Sequence, residues 1–304
     1  MGDFSRVITE QVSPNTRLDR FVSENLRLLS RSQIKARNLK ARINGKVVKL
    51  SRPVRQNDNL ELTWDDLPPE DAAPEDIPLE IIFENERCVV INKAQGMVTH
   101  PGAGNRRGTM VNALCFRKLY SGNRTNPRPG IVHRLDKDTS GVIIAAYDAE
   151  AHSFLAEQFK SRRTRKTYIA VVQGAPKEKT GRIETFIARD PRERKRFAVS
   201  RSGRTAVTFY KVVKSWKNYS LVLLRPKTGR THQLRVHLKY IGCPVLGDSV
   251  YGHKDKYFPD AKLMLHSKRL EITLPGETQV SVFSSPAPER IKMVMEKLDG
   301  FGEF

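Results

Sequence analysis

The chain has 304 residues, 38% of them hydrophobic, and carries 54 Lys plus Arg against 33 Asp plus Glu, a formal net charge of +21. No run of about 18 apolar residues offers a transmembrane helix, and the first 30 residues have neither an apolar core nor a small-residue cleavage site, so a cytoplasmic location is expected. Cys88, Cys115 and Cys243 are too few and too scattered for a disulfide framework or a zinc knuckle, and the charge calls for a polyanionic partner.

Leu18, Phe21, Val22, Leu26 and Leu29 recur at helical spacing and predict a first short helix. Ser30 or Ser32 can cap a second, SRSQIKARNLKA, with Ile34 and Ala41 inward and Arg31, Lys35, Arg37 and Lys40 outward. Asn44-Gly45 in RINGKVV is a hairpin signal, because both residue types accept positive φ. Two short helices, a small sheet and basic helix positions suit a compact RNA-binding module. LDRFVSENL, SRSQIKARN and RINGKVV, within roughly residues 16–63, resemble the S-four-type RNA-binding domain. The resemblance implies an RNA-binding domain over residues 1–64, with Arg31 and Lys35 among its contacts.

Residues 65–80 (DDLPPEDAAPEDIPLE) carry seven acidic residues, no basic ones and four prolines. That composition predicts an extended, self-repelling connector. It separates residues 1–64, of charge +7, from residues 81–304, of charge +21.

In the larger part, strands are predicted at Pro78–Phe83, Cys88–Asn92, Gly141–Asp148 and Lys166–Gln173. Ala206–Trp216 and Tyr219–Arg225 read as a long antiparallel pair turning at Lys217-Asn218. Asp148 can cap a helix through Arg162 with Ala151, Phe154, Leu155 and Phe159 inward, and a second helix is expected near Arg230–Ile241. Strands outnumber helices and turns join most of them, which predicts an α+β fold with a mixed or antiparallel sheet and peripheral helices.

Three blocks carry chemistry. In GIVHRLDKDTSG, Asp136 stands between Arg134 and Lys137 at the mouth of a buried strand, a good place for a catalytic group. A surface ion pair with Arg134 is the plain alternative. In RPKTGRTHQLRVH, Arg230 at a helix start either faces Asp136 and keeps it ionised or clamps phosphate only. In RRTRKTYIA, the basic residues Arg162, Arg163, Arg165 and Lys166 should grip phosphates, and Tyr168 is either a stacking platform or core. A basic loop holding Arg192, Arg194, Lys195 and Arg196 is a further phosphate contact or a solvated turn. No zinc pattern, G-x-G-x-x-G or P-loop is present, so neither metal nor nucleotide cofactor is expected.

These blocks resemble the RluA family of pseudouridine synthases, over roughly residues 16–285. The signature is His133-Arg134-Leu135-Asp136 with Thr139-Ser140-Gly141, joined by Lys166–Ala170, Gly229–His237, Gly247-Asp248 and Tyr251-Gly252. Asn92-Lys93 and Gly96 through Pro101-Gly102-Ala103-Gly104 resemble the opening motif, and the combination of an RNA-binding head, an acidic connector and HPGAGN resembles the subgroup that modifies large-subunit ribosomal RNA. Where the family usually has proline after the lysine, Ala94-Gln95 stand here, which touches loop stiffness.

The resemblance implies an isomerase that flips a uridine out of the stack and needs no cofactor. Asp136 is then nucleophile or base, Arg230 holds it ionised, and Tyr168 stacks on the uracil. Arg134 fills the gap left by the flipped base. His133, Leu135, Thr139, Gly141 and Leu234 support the site. The expected partner is structured RNA, with no membrane partner and a monomeric protein. The other readings are a non-catalytic RNA-binding ribosome-assembly factor and a synthase acting on transfer RNA.

Overall fold

The computed structural model describes residues 2–13, 15–26, 28–29, 34, 37–65, 73–102, 105–120, 130–193 and 196–300. The chain forms two compact units, Met1–Asp71 and Ala72–Phe304.

The first unit is a four-stranded antiparallel sheet in the order β1-β4-β2-β3, from β1 (Gly2–Val7), β2 (Lys40–Ile43), β3 (Lys46–Val48) and β4 (Asn59–Trp64). Helix α1 (Leu18–Arg20) runs into a wider turn, Phe21–Asn25, and buries Leu18, Phe21 and Val22 against Ile43, Leu60 and Leu62. Asn44 and Gly45 take φ of 53° and 76° and turn β2 into β3. Ala41 is buried as expected but belongs to a strand. Asn38 turns left-handed at φ 48°, which ends any helix before Lys40, and Ala41 and Ile43 then alternate inward with period two. Ile34 is buried, while Ser30, Arg31, Ser32 and Lys35 lie outside the described residues.

The far half of the acidic connector is fastened at Ala73 and Glu75. The Glu75 amide donates to the Asn112 carbonyl, Asn112 Nδ2 donates to the Ala73 carbonyl, and Glu75 Oε2 accepts from the Gly108 amide. Asn112 is fully buried, so its fixed amide and carbonyl outweigh the repulsion that composition suggested.

The second unit is built on an eleven-stranded mixed sheet. Its strands are β5 (Glu80–Glu84), β6 (Cys88–Lys93), β7 (Gly130–Ile131), β8 (Ser140–Ala146), β9 (Arg165–Gln173), β10 (Thr180–Arg189), β11 (Phe197–Ser200), β12 (Arg204–Trp216), β13 (Tyr219–Pro226), β14 (Leu265–Thr273) and β15 (Val280–Ser284). The order is β11-β10-β12-β13-β9-β14-β8-β6-β5, with β15 on β14 and β7 on β8. Among the described strands, β14 and β8 alone pair in parallel. β12 and β13 turn at Lys217-Asn218, where Trp216 faces Tyr219. β8, SGVIIAA, is buried at every position, as a strand covered on both faces must be.

Helices flank the sheet: α2 (Met110–Tyr120), α3 (Ala149–Lys160), α4 (Gln233–Tyr240) and α5 (Glu289–Gly300). Asp148 caps α3 by accepting from the Ala151 amide at 2.7 Å. Phe154 departs from expectation and is 40% exposed, because Ala151, Leu155 and Gln158 form the inward face. α4 starts three residues later than predicted, after His232 turns left-handed at φ 56°. No helix among the described residues is long and apolar enough to cross a membrane.

Three segments meet where β14 sits between β8 and β9: the loop leading into β8, the first residues of β9, and the turn from β13 into α4.

Candidate active site

The loop carrying Asp136 is held from beneath. Lys93 is fully buried at the end of β6, and its Nζ donates to the carbonyls of Ala94, Met97 and Lys137 at 2.9, 2.8 and 3.1 Å. Burial draws this ammonium down to about 8. Gln95, in the stretch lacking the family's proline, donates from Nε2 to the carbonyls of Asp138 and Leu263, both at 2.9 Å. Thr99 Oγ1 donates to the Leu135 carbonyl at 3.0 Å, and the Thr139 amide donates to the Asp136 carbonyl at 3.1 Å. Leu135 and Thr139 are both buried.

Gly141 has φ of +111°, and a Cβ there would lie 2.2 Å from the Ser267 carbonyl oxygen. Only glycine lets β8 and β14 approach this closely beside the loop. His133 Nε2 accepts from the Ile144 amide at 3.1 Å, and its ring stacks on Phe159 at 4.3 Å and 21°. Burial, then the charge of Lys166, pushes His133 down to about 3, so it is a neutral acceptor.

Asp136 lines a cavity of about 560 Å³, within the range that holds a nucleotide-sized ligand. Tyr168 and Leu234 line the same cavity and are otherwise buried. The Tyr168 phenol is pushed up to about 12, by burial first and the Asp136 charge second, against a hydrogen bond with Ser267. It keeps its proton at neutral pH.

The guanidinium facing Asp136 belongs to Arg235, which corrects the expectation for Arg230. Arg235 Nη1 lies 3.5 Å from Asp136 Oδ2. Arg230 sits before α4 begins, and its Nε donates to the Thr205 carbonyl on β12 at 3.0 Å. The left-handed His232 starts the helix only afterwards, so Arg235, in the first turn, is the arginine turned beneath the cavity. Arg235 is 5% exposed and donates from Nε and Nη2 to the two oxygens of Asp248, both at 2.7 Å. The Asp248 carboxyl also accepts from the amides of Val250 and Tyr251. Burial pushes that carboxyl up, but Arg235 and the two amides outweigh burial and hold it below the usual range.

Arg230 joins Arg134 and Arg162 in the cavity's lining. Burial, then the charges of Arg204 and Arg162, lowers the Arg230 guanidinium, the mark of a crowded positive patch. Lys166 lines the wall, its ammonium lowered by burial and 5.6 Å over the Phe159 ring. Arg163 and Arg165 do not line the cavity. Arg163 donates to Ser161 Oγ, and Arg165 lies 4.0 Å from Glu271 on the surface. Arg196 is a structural tie, donating to the Val250 carbonyl and pairing with Glu193 at 3.2 Å. Arg194 lies outside the described residues.

Lys93, Asp248, His232 and Tyr251 bear on the site without having been assigned a task from sequence. Each falls inside a quoted motif, which is the signal that could have flagged it. Among the described residues, no group of three or more His, Cys, Asp or Glu is arranged to hold a metal ion.

A family model described as RNA pseudouridylate synthase matches residues 87–240, which span Lys93, Asp136, Tyr168 and Arg235. A Borreliella burgdorferi protein named ribosomal large subunit pseudouridine synthase D is 45% identical over 284 residues, covering 90% of this chain and 87% of that protein. A Xanthomonas campestris protein of the same name is 40% identical over 239 residues, covering 75% and 71%. Among solved structures, human RNA pseudouridylate synthase domain containing 4 aligns with a TM-score of 0.60 and 26% identity, covering 72% of this chain and 93% of that one. With Asp136, Tyr168 and Arg235 all inside that match, the chain belongs to the RluA family of RNA pseudouridine synthases.

Proposed function

We propose that this enzyme converts specific uridines of large-subunit ribosomal RNA to pseudouridine, with Asp136 as the reacting group. One observation carries the reading. A carboxylate lies in a nucleotide-sized cavity with a buried, doubly anchored arginine beside it and a protonated tyrosine in the same wall. A protein that merely holds RNA has no need to bury a charged pair at such cost. The names of the Borreliella and Xanthomonas relatives support the large ribosomal subunit as target.

The chemistry breaks the bond from ribose to ring nitrogen, turns the uracil and remakes the bond through carbon 5. No electrons or groups are gained or lost, so the chain's own residues suffice. The target nucleotide must leave its stack to reach Asp136. Tyr168 supplies a flat wall for the extruded uracil, and Leu234 packs beneath it. Arg134 takes the space the base vacates. Arg162, Arg230 and Lys166 grip the flanking phosphates. Asp136 acts as nucleophile or base, with Arg235 Nη1 3.5 Å from its Oδ2 to orient it. The N-terminal unit acts as an S-four-type RNA-binding domain, supported by LDRFVSENL and RINGKVV. The protein works as a monomer in the cytoplasm, where its RNA is made.

The test is Asp136→Asn, which keeps size and shape and removes the charge. Pseudouridine formation in unmodified large-subunit RNA should vanish while RNA affinity stays near wild type. Retained turnover defeats the assignment.

A further inference from the structure

His232 occupies a conformation that costs a non-glycine residue about 1 kcal/mol, with φ 56° and ψ 16° at the mouth of α4. Strain of this kind persists where surrounding contacts hold it, and here the contacts are specific. Nδ1 of His232 lies 2.8 Å from the Tyr251 hydroxyl. That same hydroxyl oxygen accepts from the Phe197 amide at 2.9 Å. Tyr251 is buried, and among the described residues its proton has no acceptor other than Nδ1. A buried hydroxyl proton left unpaired is costly. Nδ1 therefore accepts, and the neutral ring carries its own proton on Nε2.

The ring cannot swing freely. Phe197 and Tyr251 meet it edge to face, at 5.8 Å and 74° and at 5.6 Å and 83°. Nε2 is thereby aimed at Asp136 and lies 4.0 Å from Oδ2. Arg235 Nη1 approaches this same oxygen, at 3.5 Å. Among the described residues, no hydrogen bond reaches Oδ1. The charged neighbours of the imidazole are Asp136, Asp248, Arg235 and Arg134, and burial outweighs the two acids and keeps the ring neutral.

We propose that His232 is a positioning residue: with Arg235 it tethers Oδ2 of Asp136, so that Oδ1 is the oxygen presented to the flipped nucleotide. This rests on the synthase reading above. At 4.0 Å the N–H acts on Oδ2 through its dipole rather than through a full hydrogen bond. The tether also ties the carboxylate to β11, because Tyr251 takes its second hydrogen bond from the Phe197 amide.

Two measurements on the full chain decide the matter. In a long-range proton–nitrogen correlation spectrum of protein carrying labelled histidine, His232 should show the Nε2–H form, and Tyr251→Phe should mix the two tautomers. On unmodified large-subunit RNA transcribed in vitro, His232→Gly should lower kcat about 10- to 100-fold with KM nearly unchanged. Glycine relieves the left-handed strain but leaves the Tyr251 proton unpaired, so unfolding is followed alongside, and a kcat loss in protein still fully folded at the assay temperature separates positioning from folding. His232→Asn, which tolerates the left-handed turn and keeps an N–H donor, should recover part of the loss. An Nδ1–H tautomer in the wild-type protein overturns the proposal, as does wild-type kcat in His232→Gly. A wild-type chain that shows the Nε2–H form yet converts no uridine defeats the synthase reading instead, and the role of His232 with it.

Discussion

Replacing Asp248 by Asn should damage both stability and turnover. The Asp248 carboxylate is cut off from solvent and takes two Arg235 donors at 2.7 Å, plus the amides of Val250 and Tyr251 at 2.9 and 3.0 Å. Asparagine keeps the volume but removes the charge and sets an N–H against the guanidinium. Breaking a buried pair from one side costs about 3–5 kcal/mol, because the other charge stays buried. For a domain near this size each kcal/mol moves the melting point by roughly 2–4 °C, so a fall of roughly 6–20 °C is expected. Arg235 then has only Asp136, 3.5 Å away, to satisfy its charge. It should tilt toward that carboxylate and slow turnover. The acid dependence has a defined sign. The folded carboxyl lies below its usual range, so the stability it adds is complete above an unfolded value of about 4 and is lost as pH falls through the folded value. The gap between wild type and variant should therefore close in acid. Thermal unfolding followed by circular dichroism at several pH values, with kcat on ribosomal RNA, checks all of this. A melting point within about 2 °C of wild type at neutral pH, with unchanged kcat, would refute the reasoning.

Gly141→Ala should cost more than about 2 kcal/mol, since its Cβ would sit 2.2 Å from a carbonyl oxygen at φ +111°; a melting point equal to wild type argues against the tight β8–β14 approach. Arg230→Gln and Arg162→Gln should each weaken RNA binding and reduce the slope of log affinity against log salt by about 1. A collapse of kcat in Arg230→Gln with unchanged affinity would return Arg230 to the side of Asp136. Burial pushes His133 down to about 3 and His237 and His266 to about 4. Folded-state values this low mean that unfolding takes up protons below about 6.5, so stability should fall from pH 6.5 toward 4, and His266→Asn should flatten the curve.

The parts of the site legible in sequence are those where one residue type does one job. An Asp beside a Thr-Ser-Gly turn, entering an apolar run, marks a strand mouth, and Tyr168 opens the next strand. The guanidinium partner was not legible. Arg230 and Arg235 share one nine-residue motif, and choosing between them requires knowing where the helix begins. That point is set by His232 in a left-handed conformation, which no local propensity announces. Lys93 was equally hidden, because a lysine in a strand reads as solvent-facing until three carbonyls are seen to converge on it. Composition does not reveal how the acidic connector is fastened. Charge density predicted repulsion, whereas three hydrogen bonds to Asn112 and Gly108 decide the local structure. In the small unit, period-two burial overrode the helical reading of Ala41.

The place of β14 has a consequence for when the enzyme comes alive. Asp136 enters through β8 and Tyr168 through β9, yet these two never pair with one another; β14, Leu265–Thr273, lies between them. A growing polypeptide that has already made both residues still has a gap where its keystone belongs. A chain cut short ahead of Leu265 lacks the strand that holds the Asp136 loop and the Tyr168 strand side by side, and it should convert no uridine.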